Sequence, residues 1–439
     1  MHVKEIEIGR SPLRREFARV TARIAIESKN KVLSYWFDIS ADLSSALSDS
    51  GKAWAVIMLP LACYFGERLV VHRPLDRVLH DNLLGLRRVW SAWYPELEPI
   101  PIEAHTIIGA DRREVPTDPS KRTISCFSGG IDSLFTFFRH QDQVLGDGTA
   151  PIDDFLSIGG FNSSMDDFDQ MHRELESFAT RVGRRLIPVL TNIRYGDHAI
   201  DTPYSTGHWE ERLAHGAFLA GIVHMLGGRY KELIIPASSP YGRLQPWGSH
   251  PMCDPLLSSS DLRVVHDGAS FNRTVRTEIV ARDDEALAIL LVCERNDRRS
   301  GNCSRCQKCL RTMAMLDCLG AKDRAKTFDW SGYSMARLSH VWLRSWNEQL
   351  YFVDIAERAQ RDGRHDLAAA ARASLAFSRR KRAILDLIDS NPVSRTAWKG
   401  VRAARQAVRS LGATAISWAV AQMSNAHVFH AFDAIPSLA

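Results

Sequence analysis

The stretch Ser125-Cys126-Phe127-Ser128-Gly129-Gly130-Ile131-Asp132-Ser133 decides the reading of this chain. It begins as the apolar strand Thr123 to Phe127, breaks at a serine–glycine turn, and continues as a helix from Asp132-Ser133-Leu134-Phe135-Thr136. Glycines let a backbone approach phosphate oxygens closely, and a helix amino terminus offers free N–H groups and a favourable dipole. Ser128 and Ser133 add hydroxyl donors. The plainer alternative is a turn that merely caps a helix, but strand, loop and helix come in the order that phosphate binding needs.

Working outward, strands and helices alternate after this loop. The expected order is strand Phe155 to Ile158, helix Met165 to Val182, strand Leu186 to Leu190, helix Trp209 to Leu226 and strand Glu232 to Ala237. Such alternation implies right-handed crossovers and a mainly parallel sheet covered on both faces, an α/β fold of Rossmann-like type. Before it, strand-like runs (Val20 to Ile26, Val32 to Ile39, Trp54 to Leu59) and a helix-like segment from Leu75 to Trp93 suggest an α+β unit. Pro116, Asp118 and Pro119 break the pattern, so three units are expected: an N-terminal α+β domain over 1–120, a nucleotide-binding domain over 121–320, and a helical C-terminal region over 321–439. The last includes amphipathic stretches Asp366 to Asp389 and Arg395 to Leu411, split by Asn391-Pro392.

The 439 residues are 45% hydrophobic and 24% charged, which leaves room for a large core. The amino terminus is charged and lacks the pattern of a secretory signal, and the best apolar run, Leu411 to Met423, falls well short of the roughly 20 residues that span a bilayer. A cytoplasmic protein is expected. The net charge of +5 is mild, with its basic excess beyond Gly320.

Four of the eight cysteines crowd together as Cys293, Cys303, Cys306 and Cys309, a C-x9-C-x2-C-x2-C pattern. Four thiolates at this spacing close a tetrahedral site on zinc with no position left open, which is a structural site. An iron–sulfur cluster competes, since four cysteines suit one as well. Cys63, Cys126 and Cys318 read as small core residues, while Cys253 stays open.

The Walker pattern and its lysine are absent, and Ser128-Gly129-Gly130-Ile131-Asp132-Ser133 instead resembles the PP-loop of the N-type ATP pyrophosphatases (HUP-type fold). With the cysteine pattern added, the segment from Lys121 to Gly320 resembles 7-cyano-7-deazaguanine synthase. Gln170 to Leu175 is similar to that family's segment after the second strand, and Thr206 to Glu211 to its substrate-side loop. The resemblance implies ATP, Mg2+ and Zn2+ as cofactors, activation of a carboxylate as its adenylate with release of pyrophosphate, and attack by ammonia or an amine. It implies that Ser128, Gly129, Gly130, Asp132 and Ser133 hold the pyrophosphate, with Asp132 and Ser133 at the reacting centre, that Ile158 and Gly159 lie beside the adenine, and that Cys293, Cys303, Cys306 and Cys309 hold the metal. Asp132 either helps to hold magnesium or stabilises the helix start.

Further candidates for the acceptor side are His208 and Glu210 (with Glu211) at a helix start, and His250 and Asp254 in the proline-fixed loop Pro246 to Pro255. Each competes with a capping or surface-loop reading. Arg273 and Arg276 read better as a solvated helix face than as partners of phosphate or carboxylate. His2 leaves no amino-terminal cysteine nucleophile, so free ammonia or an amine on the acceptor would supply nitrogen. Partners are then a small-molecule carboxylate or a protein acceptor, with a homo-oligomer allowed and RNA ranked behind. The alternatives are a PP-loop RNA thiolation enzyme and a nucleotide-binding module for protein modification or partner recognition. The basic stripe Arg395, Lys399, Arg402, Arg405 and Arg409 suits RNA, a membrane surface or an acidic protein partner, but reads more readily as the solvated face of a core-packed helix.

Overall fold

The structure, a computed structural model, describes residues 1–109, 120–142, 151–159, 165–193, 210–293 and 301–390. The chain opens with three strands, β1 (His2–Arg10), β2 (Phe17–Ile26) and β3 (Lys31–Ser40), paired antiparallel. Helix α1 (Gly51–Phe65), β4 (Leu69–Val71), β5 (Leu75–Asp76), α2 (Arg77–Trp93), β6 (Ile102–Ala104) and β7 (Ile107–Ile108) follow. The Asp76 carboxylate starts α2 by accepting from the Leu79 N–H at 2.8 Å.

Then come β8 (Arg122–Cys126), α3 (Ile131–Asp142), β9 (Asp154–Gly159), α4 (Met165–Arg181) and β10 (Arg185–Thr191). A π-helical turn, Glu210–Ala214, runs into α5 (His215–His224), and β11 (Tyr230–Pro236) and β12 (Arg263–Asp267) complete the strands. The remainder is helical: α6 (Arg273–Val280), α7 (Asp284–Ile289), α8 (Gln307–Cys318), α9 (Met335–Leu338), α10 (Trp346–Arg361) and α11 (His365–Ser390).

One ten-stranded sheet, most of its pairs parallel, has the order β12-β11-β8-β9-β10-β3-β2-β1-β4-β6. Strands β5 and β7 pair separately. Within β10-β9-β8-β11-β12 the chain runs outward from β8 on one side, then returns to its other side. That reversal opens a crevice at the carboxyl ends of the strands, the place where open α/β sheets bind ligands. The α/β, Rossmann-like expectation therefore holds.

The sheet does not stop at the start of this half. Strand β3 pairs antiparallel with β10, matching Phe37 to Thr191 and Ile39 to Val189. Asn192 extends the seam, its carboxamide accepting from the Trp36 N–H at 2.8 Å and donating to the Ser34 carbonyl at 3.0 Å. Apolar side chains fill both faces. One core joins the N-terminal strands to α1, α2 and α5, and the other joins α3 and α4 to the helices from α6 onward.

Trp54 to Leu59, expected as a strand, lies in the middle of α1. The run is buried throughout, and a short stretch of unbroken apolar residues carries no period that separates a buried strand from a buried helix. Gly221 of α5 lets the two helices meet, since a Cβ there would collide with Ile57 and approach the Ala53 carbonyl to 3.2 Å. The other expected strands and helices in the described residues recur within a few residues of their expected limits. The stretch Arg395 to Leu411 lies outside the described residues.

Candidate functional site

The Ser128–Ser133 loop leaves the end of β8 at the carboxyl edge of the sheet, and Ile131 begins α3. Gly129 has φ +69°, a left-handed conformation that disfavours a side chain; a Cβ there would stand 2.8 Å from the Leu175 side chain and 3.1 Å from the Ile289 carbonyl. The loop is closed from within: the Ser133 hydroxyl donates to the Gly130 carbonyl at 3.1 Å and accepts from the Ser128 N–H at 3.3 Å. Helix α3 is fixed at its far end, where Asp267 of β12 accepts from Thr136 at 3.0 Å and pairs with Arg139.

A cavity of about 180 Å³ opens beside this loop. Its walls come from the ends of β8, β9 and β11 (Cys126, Ser157, Ile158, Ile235), the start of α3 (Asp132, Ser133) and one face of α5 (His215, Leu219). Leu156, Ile158, Met171 and Ile235 give it an apolar side suited to a flat ring, and the loop gives it a polar side. Ser157 Oγ is buried there and has no hydrogen-bond partner among the described residues. Burial pushes the Cys126 thiol far up, so it stays protonated.

Of the residues singled out in the sequence, Ser128, Asp132, Ser133 and Ile158 line this cavity. Gly159 does not: its hydrogen packs against Phe168 and Leu190, where no Cβ fits. His208 lies outside the described residues, and of Glu210 only its place in the π-helical turn is described. His250 and Asp254 are buried away from the cavity. Asp254 accepts from the Ser249 hydroxyl at 2.7 Å and the His250 N–H at 3.2 Å, and bonds His266 of β12 at 2.7 Å. His250 meets Trp93 of α2 edge-on at 4.8 Å. This loop is a brace, and its Gly248 carbonyl accepts from the Gly216 N–H at 2.7 Å, which fixes the start of α5. Cys253, left open by its polar context, is a buried core thiol.

Arg273 and Arg276 depart most from the sequence reading. They are not a solvated face: Arg276 is 1% exposed. Both pair with Asp132, Arg273 Nη2 to Oδ2 at 2.7 Å and Arg276 Nη1 to Oδ1 at 2.8 Å. Arg276 also donates to the Ala237, Gly268 (3.0 Å) and Phe271 (3.1 Å) carbonyls, gathering the carboxyl ends of β11 and β12 around the start of α3. Periodicity in α6 said nothing of this, because the partner lies more than a hundred residues earlier. Arg311 and Tyr351, which border the same cluster, were also missed.

The four cysteines come together. Their sulfurs lie within 4.8 Å of one another, with Cys306–Cys309 at 3.5 Å and Cys303–Cys309 at 3.9 Å. A tetrahedral zinc with bonds of about 2.3 Å separates its sulfurs by about 3.8 Å, so the set fits a metal such as zinc. The Cys303 sulfur accepts from the Cys306 N–H (3.3 Å), and the Cys306 sulfur caps α8 by accepting from the Cys309 N–H (3.5 Å). Ser304, at φ 54°, makes the tight turn between them.

This cluster is linked to the serine–glycine loop. Asn302 accepts from the Val292 and Cys293 N–H groups at 2.9 and 3.2 Å and donates to the Leu290 carbonyl at 2.8 Å, so the segment before Cys293 is held from inside. The Leu291 N–H then donates to the Gly129 carbonyl at 3.0 Å. The cysteine site braces the loop's outer wall.

No protein-family profile, curated protein or solved structure matches the chain. Among the described residues no helix is long and apolar enough to cross a membrane.

Proposed function

We propose that this protein is an ATP-dependent, adenylate-forming ligase of the PP-loop type, similar to 7-cyano-7-deazaguanine synthase. The observation that carries the reading is the Ser128–Ser133 loop opening a helix at the strand-order reversal, beside a cavity with one apolar and one polar side. In this reading the adenine lies against Ile158 and Met171, with Ser157 Oγ as an unspent hydrogen-bonding group. The loop amides, with the hydroxyls of Ser128 and Ser133, hold the β,γ-pyrophosphate. Asp132 is engaged by two guanidiniums, so any Mg2+ that accompanies ATP would draw little on this carboxylate and would serve to neutralise phosphate charge.

A carboxylate oxygen of the acceptor attacks the α-phosphorus, the α–β bridge bond breaks, and pyrophosphate leaves with the bridging electrons. Ammonia or an amine then attacks the acyl carbon, AMP departs, and the nitrogen loses its extra proton to solvent. Zinc at Cys293, Cys303, Cys306 and Cys309 would supply structure alone, since four thiolates leave it no open position. A cytoplasmic setting keeps those thiols reduced.

The test is exchange of labelled pyrophosphate into ATP in the presence of candidate carboxylates. Acceptor-dependent exchange, with AMP as the product, supports the proposal; ADP and phosphate as products would sink it.

One observation favours a second reading, RNA thiolation. A groove of about 540 Å³ beside Cys306 is lined by Arg305, Arg337, Arg344 and Trp342, with Arg344 stacked 4.8 Å from the Trp342 ring. Basic groups around an aromatic face suit single-stranded nucleic acid. Metal analysis separates the two: zinc favours the ligase, and iron with labile sulfide favours thiolation.

A further inference from the structure

Arg311 follows the last cysteine of the cluster by two residues, on α8. It is 7% exposed, yet it makes no hydrogen bond or ion pair among the described residues. Its one described neighbour of note is the ring face of Tyr351, 4.1 Å away. A guanidinium is cationic throughout the physiological pH range. A buried charge with no partner is costly, and proteins keep one chiefly where an ion of opposite sign is to arrive.

The surroundings suit an anion. Arg273, Arg311 and Tyr351 border a small cavity with Thr274, Thr277 and Thr312, whose hydroxyls donate to Asn272 Oδ1 and to the Arg273 and Lys308 carbonyls, so the donors left for an anion are the two guanidiniums. At about 10 Å³ it admits one oxygen-sized group. Arg273 reaches the opposite way to Asp132 on the main cavity wall. The Tyr351 hydroxyl donates to the Ser238 carbonyl at 3.3 Å, and Ser238 lines that same cavity. Arg273 and Arg276 thus share one carboxylate, Asp132, and Arg311 beside them pairs with none among the described residues. Glu348 is the next nearest acid, but its carboxylate accepts the Arg344 and Ser345 N–H groups in the capping box of α10.

We infer that Arg311, together with Arg273, forms a second anion subsite behind the serine–glycine loop, which takes a terminal phosphoryl oxygen of the nucleotide and keeps it in the leaving pyrophosphate. The inference rests on the nucleotide reading of the main cavity. The loop holds the pyrophosphate from the front, and Arg311 holds it from the side of the cysteine cluster.

Titration calorimetry of wild type and Arg311→Met with inorganic pyrophosphate, ATP and AMP tests it. Loss of a charge-assisted hydrogen bond predicts affinity for pyrophosphate and ATP lowered by about tenfold or more, with AMP kept within about twofold. The ligand-free variant should melt no lower than wild type, since it loses an unpaired buried charge. Unchanged pyrophosphate affinity overturns the subsite and leaves the nucleotide reading standing, as does an equal loss for AMP. A wild-type protein that binds none of the three ligands overturns both. If Arg311→Met does not fold, Arg311→Lys takes its place: it keeps a cation without the planar fork, and should weaken pyrophosphate by about threefold or more while sparing AMP. Unchanged affinity there also overturns the subsite.

Discussion

Arg276 shows how much one side chain does at this site. Its guanidinium joins Asp132 to the Ala237 and Gly268 carbonyls at the ends of β11 and β12 and to the Phe271 carbonyl before α6, so it sets where the loop stands relative to the crevice. Arg276→Met would leave Asp132 with Arg273 alone and take a donor from three carbonyls, of which Gly268 keeps the Phe271 N–H. A loss of about 3 kcal/mol in stability is expected, the scale for removing one partner of a buried ion pair, and urea denaturation measures it. A variant within about 0.5 kcal/mol of wild type would mean that the cluster is not structural. His224 makes the second prediction at this scale. Burial, then the charge of Lys52, hold its imidazole at about 4, and its Nε2–H donates to the Leu257 carbonyl at 2.8 Å. The unfolded chain takes up a proton near pH 6.5 while the folded one resists, so the stabilising contribution is complete above that pH and is lost as pH falls toward 4. Up to about 3 kcal/mol is at stake. Stability curves from pH 7 to 4.5 should flatten by part of this in His224→Gln, and an unaltered slope would count against it.

At the scale of elements, the cysteine cluster and the serine–glycine loop behave as one assembly, because Asn302 and Leu291 connect them. Removing the metal with a strong chelator, or substituting Cys306→Ser, should therefore lower the melting temperature and also weaken ATP binding, although none of the four clustered cysteines lines the main cavity. Metal content, melting temperature and ATP affinity measured on one sample check the coupling. ATP affinity unchanged in metal-free protein would show the brace to be idle. Much of this assembly was legible in the sequence: local spacing singled out the loop and the four cysteines, since each motif lies within one short stretch, Ser128 to Ser133 and Cys293 to Cys309. The arginine cluster was not, because Arg276 finds Asp132 through the fold and an isolated arginine on a helix looks the same whether it faces water or a carboxylate. The misreading of Trp54 to Leu59 has a related cause, since burial on all sides erases the period that names an element.

At the scale of the whole molecule, the breaker cluster before Lys121 marks a boundary near residue 120 in the sequence, and the sheet runs on across it through the β3–β10 seam. The core on one face mixes Val20, Phe37 and Trp54 with Phe218, Ile222 and Leu233. Arg14 crosses the same seam to pair with Asp169 of α4, at 2.5 and 3.1 Å. Neither half can open without exposing apolar surface of the other, so equilibrium unfolding should be a single transition. Tryptophan emission, which includes the buried Trp54 and Trp90 of the N-terminal half, and far-ultraviolet dichroism of all the helices should share one urea midpoint. Two midpoints would mean that the halves fold separately. Deletion of residues 1–40 tests the same point more severely: it strips β10 of its antiparallel neighbour, leaves an open strand edge beside an uncovered core, and should give aggregated chain in place of a smaller nucleotide-binding domain.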